Sequence, residues 1–281
     1  MDFYTLIDGE PIIKLPPKTI QMREIIFTPA EQEFYSWLLQ FYEEILMDYT
    51  FDRILALLKE CQLACDHPCL VKSRIDYEQC STILERSYVS SKMKAIVDIL
   101  NSIMNKHAFT ESDSNIESST IESAPEKVLI FSQFTRMLDL LQPLLNSNGI
   151  QFRRLDGKMN RKARDEAVKD FNTNPEVTVV LASLKAAGVG LNLVAASHVI
   201  ITDPWWNPFI EDQAIGRAHR IGQTRPVTVY RLVVKGTIEE RVLQLQEMKR
   251  KNVKRVYDGN ILNDKLTEED LRFLFGGTRQ S

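Results

Sequence analysis

The sequence predicts an α/β protein built on a doubly wound, mostly parallel sheet, with a helical region ahead of it. Three observations lead there. From Lys127 onward, short apolar runs of β type alternate with stretches of helical periodicity, as parallel strands joined by helical crossovers do. Before residue 107 the apolar residues recur at helical spacing instead. Between the two, residues 109 to 125 read FTESDSNIESSTIESAP, a Ser- and Glu-rich linker composition with little to bury.

The helical region opens at Thr28-Pro29-Ala30-Glu31, which supplies a capping threonine, a first-turn proline and a glutamate at the capping-box position. Phe34, Trp37, Leu38, Phe41 and Ile45 follow at helical spacing, so a long amphipathic helix starts there. Residues 51 to 70 continue helically, and Met93, Ile96, Val97, Leu100 and Met104 mark a third helix. After the linker come a strand at 127 to 131 (KVLIF), a helix from about 134 to 147, a strand at 152 to 155 (FRRL), a helix from about 161 to 172 and a strand at 177 to 182 (VTVVLA). A strand at 198 to 202 (HVIIT), a helix through Gln213 to Arg220 and a strand at 227 to 233 (VTVYRLV) complete the alternation. A long helix begins near Thr237, with Ile238, Val242, Leu245 and Met248 on one side. A last helix begins at Thr267, with Asp270 where a capping box usually has Glu or Gln, and presents Leu271 and Leu274.

A chain of 281 residues with 44% hydrophobic content can bury a full core. It has no run of roughly 18 apolar residues, and its first residues lack the regions of a secretory signal, so a soluble intracellular protein with no membrane partner is expected. Four cysteines, Cys61, Cys65, Cys69 and Cys80, crowd into one stretch, unlike a secreted disulfide framework, which predicts a reducing compartment. A net charge of −3 gives no hint of nucleic acid. Its distribution says more. Arg153, Arg154, Lys158, Arg161, Lys162, Arg164 and Lys169 face only Asp156, Asp165 and Glu166, and a second cluster is Lys249, Arg250, Lys251, Lys254 and Arg255. Such clusters form solvated helix faces or phosphate contacts, and charge alone leaves both readings open.

Ligands of doubly wound sheets sit outside the carboxyl ends of the strands. Three loops belong there: Ser132 to Thr135, Ser183 to Leu193, and Asp203 to Pro208. Gly188 and Gly190 let backbone N–H groups approach a phosphate, with Ser183 and Lys185 adding a hydroxyl and a charge, although a tight strand-to-helix turn explains both glycines equally well. In QAIGRAHRIGQ, Gln213, Arg217 and Arg220 fall at i, i+4 and i+7 and share one helical face. Two arginines side by side suit a transferring phosphoryl group, whose oxygens carry charge in the transition state. The alternative is a pair of surface arginines neutralised by Glu211 and Asp212.

The string DPWWNPFIEDQAIGRAHRIGQTRPVTVYRLV resembles motifs five-a and six of the Swi/Snf family in helicase superfamily two. The resemblance extends upstream through GVGLNL (motif five), LDGKM (motif four-a) and VLIFSQFT (motif four), and downstream through GTIEERVLQLQ, which looks like that family's brace helix. LPPKT and LACDHPCLV resemble its helical protrusion, so nearly the whole chain is covered. The resemblance implies a RecA-like second lobe of P-loop NTPase type, divided into a connector strand (1–28), a helical protrusion (29–106), a flexible linker (107–126), the lobe proper (127–235), and a brace helix with a C-terminal helix (236–281). It implies that Arg217 and Arg220 are arginine fingers, that Gln213, Gly188 and Gly190 lie beside the nucleotide, and that Ser132, Gln133, Lys185, Trp206 and Arg161 touch duplex DNA. Family members often have S-T-R-A-G-G where this chain has Ser183-Leu184-Lys185-Ala186-Ala187-Gly188; this form is similar to the branch of RING-bearing DNA-repair translocases and transcription termination factor two. Lysine at 185 keeps the charge and loses the planar fork of arginine. No C-x-x-C pair accompanies the four cysteines and His67, so structural cysteines, no RING and no metal ligand are expected.

Neither the Gly-x-x-x-x-Gly-Lys-Ser/Thr loop nor an Asp-Glu pair ending an apolar strand occurs in the sequence. The expectation is therefore a C-terminal half that shares ATP and magnesium with a first RecA-like lobe of the same polypeptide, and that is inactive alone. Double-stranded DNA, nucleosomes or other DNA-bound proteins, and a nuclear address follow as expected partners and place. The competing class is a catalytically inactive module that docks DNA or a partner.

Overall fold

Strand β4 (Val128–Ser132) is buried along its whole length, and that explains why it reads as an unbroken apolar run. Val128 and Ile130 point into one core, while Leu129 and Phe131 point into a second on the opposite face. This computed structural model describes residues 6–7, 10–11, 15–45, 50–72, 77, 82–110, 125–188, 190–253 and 266–275. Most of the predicted linker, Cys80, and Lys254 and Arg255 lie outside them.

In chain order, β1 (Leu6–Ile7) and β2 (Glu10–Pro11) form a small antiparallel pair, and β3 (Lys18–Ile25) follows. Helices α1 (Pro29–Ile45), α2 (Phe51–Asp66) and α3 (Ser91–Thr110) precede the alternating part. There, β4 leads to α4 (Thr135–Ser147), β5 (Phe152–Leu155), α5 (Arg161–Thr173) and β6 (Val179–Ser183). Then come β7 (His198–Ile201), α6 (Pro208–Ile215), β8 (Val227–Val234), α7 (Ile238–Val253) and α8 (Glu268–Phe275). Strands β3 to β8 form one parallel sheet in the order β3-β8-β7-β4-β6-β5, the doubly wound α/β class that the alternation predicts. The connector supplies the edge strand β3, paired along its full length with β8.

Local signals set the helix starts. Thr28 N donates to Glu31 Oε2 at 2.9 Å and Glu31 N donates to Thr28 Oγ1 at 3.3 Å, the reciprocal capping box. Thr267 and Asp270 repeat it at α8, with bonds of 3.0 and 3.1 Å. The buried Glu31 carboxylate also accepts from Ser91 N at 2.9 Å, which ties the start of α1 to the start of α3.

Helices α1 to α3, α4, α7 and α8 share the core on one sheet face, whereas α5 and α6 cover the other. Where α2, α3 and α7 meet, Lys92 Nζ lies 2.9 Å from Asp66 Oδ1 and 2.5 Å from Glu239 Oε1, with all three side chains fully buried. Burial works against the charge on Lys92, but Asp66 and then Glu239 more than offset it and raise its pKa. One ammonium facing Asp66, Glu239 and the nearby Asp203 balances only part of three buried carboxylates. Burial accordingly pushes the Asp66 carboxyl up, against the pull of Lys92.

Candidate functional site

The loops after β4, β6 and β7 meet at the carboxyl edge of the sheet, and Asp203 joins two of them. Its buried carboxylate accepts from Ser132 Oγ at 2.5 Å and from Gln133 N at 2.8 Å. Burial raises its pKa, opposed by Lys92 and then by the Ser132 hydroxyl. Leu184 N donates to Ser132 O at 2.9 Å and fastens the third loop beside them.

The Ser132 side chain is turned inward. The hydroxyl is fully buried and already donates to Asp203 while accepting from Phe134 N. Its structure makes it a brace for the loop. Trp206 is largely buried, lies against Trp205 at 5.9 Å between ring centroids and sits under Lys249 Nζ at 4.6 Å, and it lines the groove beside α2. Gln133 and the exposed Lys185 reach the same groove.

The predicted helix through Arg220 stops at Ile215. Beyond it the hydrogen bonds tighten to three-residue turns, with Arg217 N on Ala214 O at 3.0 Å and Ala218 N on Ile215 O at 3.1 Å, so Gln213, Arg217 and Arg220 do not share one regular helical face. They nevertheless converge on the glycine loop. Leu193 N donates to Arg217 O at 3.1 Å, and Arg220 Nη1 donates to Leu191 O at 3.1 Å. A Cβ built on Gly188 would come 3.8 Å from Gln213 Oε1, while one on Gly190 would meet open space. Burial, and then the positive charge of Arg220, lower the pKa of Arg217.

Glu211 and Asp212, the carboxylates just ahead of the pair in sequence, hold other cations. Glu211 is buried and holds Arg231, Gln246 Nε2 at 2.6 Å and Trp205 N at 2.8 Å. Asp212 takes both ends of Arg250, at 2.6 and 2.9 Å. Burial raises the Glu211 carboxyl, with Arg231 pulling the other way. Through these contacts α7 grips the tryptophan loop and α6 together: Gln246 Nε2 also donates to Trp205 O, and Lys249 pairs with Asp270 of α8 at 2.9 Å.

Much of the basic charge is structural. Arg153 pairs with Asp170, and Arg154 with Asp139 and Asp156 at 2.6 and 2.7 Å. Lys249 and Arg250 are committed as described. Arg161 is different: its side chain is 94% exposed, with Asp165 at 3.8 Å, but it stands on α5 against the edge strand β5 and does not line the groove that holds Gln133 and Lys185.

Cys61, Cys65 and Cys69 are buried and in no disulfide, and burial pushes the Cys61 thiol up to about 12. His67 uses both ring nitrogens on backbone, accepting from Cys69 N at 3.1 Å and bonding Tyr88 O at 2.8 Å through Nε2. Gln246 escapes the sequence reading, and the bracing roles of Asp203 and Glu211 do too, although a charged residue ending the apolar run HVIIT was a signal for Asp203. Gln223 also escapes it: from a buried position it donates to Val194 O, Ala196 O and Ala218 O, tying the turn that carries the arginines to the chain after the glycine loop.

An all-parallel sheet wound on both faces, with these loops at its carboxyl edge, is the architecture of a RecA-like lobe. Residues 111–222 match the family described as helicase conserved C-terminal domain. Helicase-like transcription factor CHR27 of Arabidopsis thaliana is 33% identical over an alignment covering 96% of this chain and 39% of that protein. DNA repair protein RAD5B of the same plant is 31% identical, covering 95% and 28%. The C-terminal part of the Fun30 ATPase domain superposes with a TM-score of 0.68 over 93% of this chain and 97% of that one, at 23% identity, a likeness of fold. The Sulfolobus solfataricus SWI2/SNF2 ATPase core in complex with double-stranded DNA gives 0.63 over 92% and 50%, at 27% identity. The chain is a C-terminal lobe of the Swi/Snf helicase family. It spans well under half the length of the curated relatives it matches.

Proposed function

We propose that this chain is the arginine-donating, DNA-contacting half of an ATP-dependent translocase on double-stranded DNA. The carrying observation is the arginine pair. Arg217, through its backbone carbonyl, and Arg220, through its guanidinium, are stitched to the glycine loop, and burial and then the positive charge of Arg220 act against the charge on Arg217, a cost that an anionic ligand relieves. Gln213 and the two glycines form the remaining wall, with room at Gly190 for a phosphate to approach backbone N–H groups.

ATP bound against this wall supplies the γ-phosphoryl group, with magnesium carried by a first RecA-like lobe. Arg217 and Arg220 stabilise charge on the phosphoryl oxygens, an effect worth a factor of about 10³ to 10⁵ when a finger acts in cis. Gln133 and Lys185 hold the sugar-phosphate backbone, which gives sequence-independent, salt-sensitive binding. Glu211 and Gln246 act as positioning residues between the DNA-facing loop and the arginine turn. The proposed obstacles are nucleosomes or other DNA-bound proteins in a nuclear setting; relatives named as DNA repair proteins and helicase-like transcription factors fit a task on DNA.

The test is ATP turnover, with and without duplex DNA, by the 281-residue chain alone and joined to a Swi/Snf first lobe. Turnover stimulated by DNA only in the joined protein is expected. Silence in both, from folded protein that binds DNA, would favour a docking module instead.

A further inference from the structure

We infer that the helical region adds a phosphate contact of its own to the DNA track, through Lys59 of α2; this rests on the DNA-binding role proposed above. The observation is a groove of about 310 Å³ between α2 and the loops after β4, β6 and β7. Among the described residues its lining contains no carboxylate. The polar side chains facing it are Lys59 and Gln62 on one wall and Gln133 and Lys185 on the other, all able to donate hydrogen bonds. The Trp205 indole lines the same groove, and its buried N–H has no acceptor among the described residues.

Beside a floor that is largely apolar and aromatic, the described polar side chains of the groove are all donors, two of them ammonium groups, which fits an extended anionic ligand rich in acceptors such as a nucleic-acid backbone. Its walls are held in register. Gln62 Nε2 donates to Pro204 O at 3.1 Å, which fixes α2 to the tryptophan loop. Lys59, one turn earlier on the same helix, is thereby carried to the groove with its side chain exposed. The neighbouring Glu60 does not cancel it, because its carboxylate is buried and accepts from Lys72 N at 2.7 Å. Protrusion and lobe thus grip the same stretch of backbone from two sides.

The experiment measures binding of a labelled random-sequence duplex by the 281-residue chain from 50 to 200 mM salt. It compares wild type with Lys59→Ala, Lys59→Arg and Lys185→Ala, with thermal melts confirming that each is folded. Losing one phosphate contact lowers the slope of log affinity against log salt by about 0.9. Both alanine variants are expected to show that drop, and Lys59→Arg to keep the wild-type slope. An unchanged slope for Lys59→Ala beside a lowered one for Lys185→Ala overturns this inference and leaves the DNA reading standing. Unchanged slopes in both overturn the two together.

Discussion

Arg250 and Arg217 are both half-buried arginines in basic stretches of the sequence, yet their surroundings treat them oppositely. The two-pronged hydrogen bond to Asp212 raises the pKa of Arg250, whereas burial and the charge of Arg220 lower that of Arg217. One guanidinium holds α7 on α6; the other lies beside a second arginine at the carboxyl edge of the sheet. A count of positive residues cannot separate these roles. Their surroundings do separate them: Asp212 faces Arg250 at 2.6 Å, and the charge of Arg220 acts on Arg217.

The sharpest way to break this contrast is to remove each kind of charge. Arg217→Ala or Arg220→Ala, in protein joined to a first lobe, should cut DNA-stimulated turnover by a factor of about 10³ to 10⁵, roughly 4 to 7 kcal/mol in the barrier. Next comes the most deeply committed cation. Lys92→Ala strands Asp66 and Glu239 and should destabilise the fold by about 3 to 5 kcal/mol in urea titrations. Loss of less than 1 kcal/mol would mean that the carboxylates take up protons without help from the lysine. Arg250→Ala removes a partly exposed pair, so a stability loss of roughly 1 kcal/mol or less is expected, with turnover within tenfold of wild type.

The smallest effect is a pH dependence. Glu126 is lowered to about 2, first by its hydrogen bond with His198 and then, against burial, by the Ser197 hydroxyl and Arg225. A carboxyl depressed in the folded state stabilises the fold above its unfolded value of 4.5, and that contribution is lost as pH falls from there towards about 2. Glu126→Gln should therefore flatten acid unfolding in that window and leave stability curves parallel above it. Parallel curves throughout would show that Glu126 contributes nothing there.

Local chemistry was legible in the sequence, and distant pairing was not. Thr28 with Glu31 and Thr267 with Asp270 announce helix starts because donor and acceptor lie three residues apart. The parallel strands are legible because burial on both faces leaves unbroken apolar runs such as Val128 to Phe131. The end of α6 at Ile215 was not, since QAIGRAHR keeps helical spacing while the chain tightens into turns. Nor was the burial of Ser132 and Trp206, whose partners Asp203 and Lys249 lie far along the chain or on another helix. Lys92 offered no signal at all, because Asp66 and Glu239 are 26 and 147 residues away.

The central claim is that Arg217 and Arg220 serve the phosphoryl transfer and not the fold or the DNA grip. Its most direct test measures turnover, duplex affinity and melting temperature on the same preparation of Arg217→Ala joined to a first lobe. The account predicts turnover reduced by about 10³ or more with affinity and melting temperature at wild-type values. Turnover that survives, or that falls only in step with affinity or melting temperature, would contradict it.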